Sequence, residues 1–145
     1  MANIKTRFGL LVAVVATVVG FVAFAAAQAS ASSAPIVIPY AKTCGAGHCL
    51  GTAGAGGKIE MRITSFQATG SAAKLTLTEW ITVGNISFTA ELKGDVSPAG
   101  FIVLNGTVTE GSFAGAQVHQ RSNLVGGNGT TTAWTGELRL MPASA

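Results

Sequence analysis

From Lys58 onward the chain alternates apolar and polar residues with a period of two, which commits it to extended strands with one face in and one face out. Ile59, Met61 and Ile63 alternate with Lys58, Glu60 and Arg62. Leu75, Leu77, Ile81 and Val83 alternate with Lys74, Thr76, Thr78, Trp80 and Thr82. Ile86, Phe88, Ala90 and Leu92 alternate with Ser87, Thr89, Glu91 and Lys93. No segment here sustains a helical period.

Gly84-Asn85 reads as a two-residue hairpin turn, and this choice sets the register of its strands. Val83 then faces Ile86, Ile81 faces Phe88, Leu77 faces Leu92 and Lys74 faces Asp95. Apolar residues meet apolar ones and opposite charges meet, as cross-strand pairing favours. Further strands are expected over 101–108, 113–124 and 131–140, separated by turns at Ser97-Pro98-Ala99-Gly100, Glu110-Gly111 and Gly126-Gly127-Asn128-Gly129. Ile36-Val37-Ile38, between Pro35 and Pro39, is read as a short edge strand at best, and 51–57 as a flexible Gly/Ala loop.

The expected fold class is all-β, a small antiparallel meander barrel of six to seven strands, with a β-sandwich as the alternative. Glycines within strands at Gly106, Gly115 and Gly136 favour the barrel, because strong curvature and close backbone approach need them.

The first residues carry a different instruction. Lys5 and Arg7 precede an apolar run from Phe8 to Phe24 and then small residues, the layout of a secretory signal, with cleavage expected after Ala27-Gln28-Ala29. An uncleaved anchor is the competing reading. The expected organisation is therefore a signal peptide over 1–29, a small-residue tail, edge strand and disulfide loop over 30–57, and a β domain over 58–145. After cleavage no membrane span is expected, and the localisation is secreted or cell-envelope.

The leader also holds Lys5 and Arg7, two of the nine basic residues, leaving seven against six acidic ones. Such a near-neutral domain lacks the electrostatic footprint of a nucleic-acid partner. In an oxidising compartment Cys44 and Cys49, which enclose Gly-Ala-Gly-His, are expected to form a local disulfide. A metal site built from Cys44, His48 and Cys49 is the rival, and no metal or cofactor is assigned.

Common catalytic motifs are absent. Gly54-Ala55-Gly56-Gly57-Lys58 resembles a phosphate loop only superficially, since its spacing fails and Ile59 replaces the Ser or Thr.

The alternation does place one acid on an apolar face. Glu79 shares the side of Leu75, Leu77, Ile81 and Val83, so it is expected inside, with a partner or a raised pKa. If Thr109 pairs with Ser112, then Leu104 faces Gln117 and Ile102 faces His119. Glu79, Gln117 and His119, with Arg121 nearby, would then form an internal ligand site. A bulge at Gly115 would instead turn Ala114, Ala116 and Val118 inward and leave His119 and Arg121 in solvent. Trp80, on the Thr-rich outer face, is a candidate sugar-stacking or partner-binding platform.

The functional expectation is non-enzymatic binding of a small-molecule, carbohydrate or surface-protein ligand. A small barrel enzyme using Glu79 and His119 as an acid/base pair is one alternative, and a structural surface protein is another.

Overall fold

The computed structural model describes residues 34–142. The leader and its expected cleavage point lie outside the described residues. Eight strands follow one another: β1 Ile36–Gly45, β2 His48–Ala53, β3 Gly57–Thr69, β4 Ala72–Val83, β5 Ile86–Val96, β6 Phe101–Gly111, β7 Gln117–Gly127 and β8 Thr132–Met141. Each pairs antiparallel with the next, and β8 returns to β1, closing an up-and-down barrel. Among the described residues no helix is long and apolar enough to cross a membrane.

The β4–β5 hairpin has the register read from its turn. Val83 pairs with Ile86, Ile81 with Phe88, Leu77 with Leu92 and Lys74 with Asp95. Gly84, at φ 59°, supplies the positive φ at the first turn position.

The strand count exceeds the expected six to seven because 36–53 is a hairpin of the barrel. Ile36, Ile38, Tyr40, Lys42 and Cys44 alternate inward along β1, and Pro39 does not interrupt them. A residue's N–H and C=O point to the same side of a strand, and the Pro39 carbonyl accepts from Gly54 N at 2.7 Å, on the β2 side. There the β1–β2 ladder has already ended at Tyr40–Ala53, so the missing proline N–H removes no ladder bond.

Cys44 and Cys49 face each other directly across this hairpin and are disulfide-bonded. The cross-link closes a very short loop. Replacing both cysteines by serine is expected to lower stability by about 2 kcal/mol while leaving the strand signal of the circular dichroism spectrum intact. A urea midpoint unchanged by the double substitution would refute that value.

The β6–β7 connection departs from the expected tight turn at Glu110-Gly111. Gly111, Phe113 and Gly115 all adopt left-handed φ, at 87°, 62° and 88°. Val108 N donates to Ala116 O at 2.9 Å, and Gly115 N donates to Val108 O at 2.8 Å. Gly115 therefore belongs to a turn, whereas Gly106 and Gly136 are strand glycines as expected. The wider connection pairs Leu104 with Gln120, Asn105 with His119 and Ile102 with Ser122.

Relative to the expected pairing, β7 is shifted by an odd number of residues, so every side chain on it changes face. Val118, Gln120 and Ser122 point inward, while Gln117 is exposed and His119 is on the outer side.

The end of the barrel reached by the 54–56, 84–85 and 112–116 connections is filled by apolar side chains, among them Ile38, Ile59, Ile81, Phe88 and Val108. The opposite end is less completely filled, and the polar interior residues lie between the two.

Candidate functional site

Three ionisable side chains that are buried among the described residues share the barrel interior: Tyr40 and Lys42 on β1, and Glu79 on β4. Gln120 and Ser122 of β7 complete the polar layer. The Tyr40 hydroxyl hydrogen-bonds the Ser122 hydroxyl and lies 3.2 Å from the Arg121 carbonyl oxygen. Burial raises the Tyr40 pKa well above its ordinary value, so it stays a neutral phenol.

Glu79 is fully buried. Gln120 Nε2 donates to its Oε2 at 2.8 Å, but among the described residues neither Glu79 Oε1 nor Gln120 Oε1 has a partner. An ionised carboxylate in this position is stripped of solvent, and burial accordingly pushes its pKa up to about 7. The positive charge of Lys42 and the Gln120 hydrogen bond oppose that rise.

Lys42 is 5% exposed. Its Nζ donates to the Met61 thioether sulfur at 2.9 Å and lies 5.0 Å from the centre of the Tyr40 ring. A thioether is a weak acceptor, and the ammonium carries three donors. Among the described residues no carboxylate comes within the 4.0 Å of an ion pair, so Glu79 acts on it at longer range only. Burial lowers the Lys42 pKa to about 8, with Glu79 pulling the other way.

Above this layer, at the end carrying the 46–47, 70–71, 97–100 and 128–131 connections, the barrel holds a cavity of about 180 Å³. Lys42 lies on its wall together with the disulfide, Met61, Leu75, Leu77, Leu104 and Trp134. Trp134 turns its Nε1 to Thr132 Oγ1 at 2.8 Å, so its polar atom is satisfied within the wall.

Phe66 reaches the same cavity through a bulge. The β3–β4 register shifts between Ile63 and Ser65, leaving Thr64 unpaired, and beyond it Phe66 pairs with the inward Leu75. Unbroken alternation from Ile59, Met61 and Ile63 would have turned Ser65 inward instead. Phe66 is 63% exposed and forms part of the rim.

The expected site residues are thus separated. Glu79 is inside. Gln117 is exposed, and His119 lies outside, where its Nδ1 hydrogen-bonds Asn105 Oδ1 and its Nε2 accepts from Arg121 Nε at 3.3 Å. The polar partner that β7 brings to Glu79 is Gln120, as the shifted register requires. Trp80 is on the outer face, paired with Glu60 and Thr89, and takes no part in the cavity. Among the described residues no group of His, Cys, Asp or Glu is arranged to hold a metal, and His48 instead meets Glu60 at 2.9 Å on the surface.

Lys42 is one of the interior polar residues that sequence reasoning missed, with Tyr40, Gln120 and Ser122. Its signal was the alternation of Ile36, Ile38, Tyr40 and Cys44 about it, which Pro39 obscured. No protein-family model matches the chain, and neither a curated protein nor a solved structure matches it.

Proposed function

We propose that this chain is an exported, non-enzymatic binding protein that holds a small, largely apolar ligand in the end of its barrel. The observation that carries the reading is the cavity of about 180 Å³ with walls of Leu75, Leu77, Leu104 and Trp134. An apolar cavity of about 150 Å³ accepts a guest the size of benzene, so the volume suits a small ring or a short chain. Eight-stranded barrels are of the size that either fills with side chains or retains room for one small ligand. The signal-like leader and the Cys44–Cys49 disulfide support export into an oxidising compartment.

Titration calorimetry with benzyl alcohol and 1-hexanol is expected to show saturable binding at one site per chain. Leu75→Trp, which fills the cavity from its wall, is expected to abolish it while the protein remains folded by circular dichroism. Heats that do not saturate for the parent protein, or binding unaffected by Leu75→Trp, would remove the proposal.

A further inference from the structure

We infer that the occupant of this cavity is a small monocarboxylate, its apolar body against Trp134, Leu75, Leu77 and Leu104, its head group accepting hydrogen bonds from Lys42 Nζ. The inference rests on the binding role proposed above and specifies the ligand class.

The cavity wall is apolar apart from Lys42 and the Thr132 hydroxyl, and that hydroxyl accepts the Trp134 indole N–H. The Thr132 hydroxyl keeps its own O–H to donate, and Lys42 is the charged group on the wall, with three donors to offer. The Lys42 side chain is buried, with a thioether as its hydrogen-bond partner and, among the described residues, no carboxylate at ion-pair distance. Buried charges are ordinarily paired, and Lys42, on the wall of an apolar space, is the side chain there that can take an anion. A carboxylate head supplies both charge and acceptors. Charge-assisted hydrogen bonds are roughly twice as strong as neutral ones, so a carboxylate is favoured over an alcohol of the same body.

Of the ionisable groups buried with Lys42, Tyr40 is neutral and contributes its ring face, while Glu79 is the competing anion. Two carboxylates and one ammonium would leave an excess negative charge in the interior. Glu79 relieves it by holding a proton, to which its burial already disposes it. Ligand binding then brings a proton into Glu79, and carboxylate affinity rises as the pH falls through the range in which Glu79 titrates.

Titration calorimetry at pH 6 and pH 8 should compare two matched pairs on the purified protein: benzoate with benzyl alcohol, and hexanoate with 1-hexanol. At pH 6 the carboxylates are expected to bind at least about tenfold more tightly than the alcohols, with the ratio falling at pH 8. Lys42→Met is expected to abolish the preference and retain alcohol binding. Glu79→Gln, which removes both the competing charge and the carboxylate that holds the Lys42 pKa up, is expected to keep the carboxylate preference at pH 6 and leave the alcohols unchanged.

Alcohols that bind as tightly as carboxylates overturn the carboxylate assignment and leave the cavity's binding role standing. Absence of saturable binding by all four compounds overturns both. A preference that survives Lys42→Met also overturns the assignment, because the head group is then held elsewhere. Should Lys42→Met fail to fold, the parent ratio and its persistence in Glu79→Gln at pH 6 decide the matter.

Discussion

Replacing Gly136 by alanine is expected to destabilise the barrel by about 3 kcal/mol or more, lowering the melting temperature by roughly 10 °C or more. A Cβ at this position would stand 1.9 Å from the Arg121 carbonyl oxygen and 2.8 Å from the Tyr40 hydroxyl. Neither obstacle yields cheaply. The first is backbone of the adjacent strand, and the second is fixed by its bond to Ser122 in the interior.

Gly106 behaves alike, since its Cβ would lie 1.8 Å from the Glu91 carbonyl oxygen. At both positions the side-chain slot of one strand is occupied by the backbone of its neighbour, which is how a tightly curved sheet closes. Gly126 is the control. It is also on a strand, has ordinary φ and would place a Cβ with nothing within 4 Å. Gly126→Ala is expected to change stability by less than about 0.5 kcal/mol. Equal melting temperatures for Gly136→Ala and Gly126→Ala would show that close approach is not what the strand glycines provide.

The second large effect concerns pH. Most proteins are most stable between about pH 5 and 8, but the two buried charges here predict a minimum of their joint contribution near pH 7 to 8. Glu79 titrates at about 7 when folded against 4.5 for an ordinary solvated glutamate. Between those values the folded chain holds a proton that the unfolded chain has lost, so stability falls as pH rises.

Lys42 titrates at about 8 when folded against 10.5 otherwise. Between these values the unfolded chain holds the extra proton, and stability recovers as pH rises. Each limb approaches a slope of about 1.4 kcal/mol per pH unit where one proton separates the two states.

The variants divide the curve. Glu79→Gln removes the falling acid limb. Lys42→Met removes the alkaline recovery and extends the fall to higher pH, because Glu79 loses the positive charge that holds its pKa down. Urea unfolding from pH 4.5 to pH 10.5 on the three proteins tests this, and superimposable curves would dismiss the interior charges as a source of pH dependence.

How legible these features were depends on whether local pattern alone determines them. The β4–β5 register could be read because a two-residue Gly84-Asn85 turn leaves one pairing, and the alternation on both strands agrees with it. The inward position of Glu79 followed from the same alternation. The placement of Gln117 and His119 inside did not hold, because it depended on the length of the β6–β7 connection. Left-handed conformations at Gly111, Phe113 and Gly115 open that connection, and a left-handed Phe113 leaves no local signature that distinguishes it from a strand residue.

The β1–β2 hairpin was hidden by a rule that is sound in open sheets. By that rule proline confines 36–38 to an edge, whereas its nitrogen faces a side on which the ladder has already finished. With that strand discounted, Lys42 could not be seen as interior. Phe66 was obscured for a related reason, since one unpaired residue at Thr64 reverses the alternation beyond it.

The pairing of Ile36 with Leu140 joins almost the two ends of the described chain, and this shapes the order in which the protein can assemble. Hairpins such as β4–β5 form between neighbours and need little loop closure, but the β8–β1 seam must wait until the whole intervening sequence is in place. Until then β1 and β8 each have a row of unsatisfied backbone groups exposed to other nascent chains. A truncation that removes β8 makes that transient hazard permanent on β1 and β7, so shortened products are expected to associate through those strands instead of accumulating as monomers.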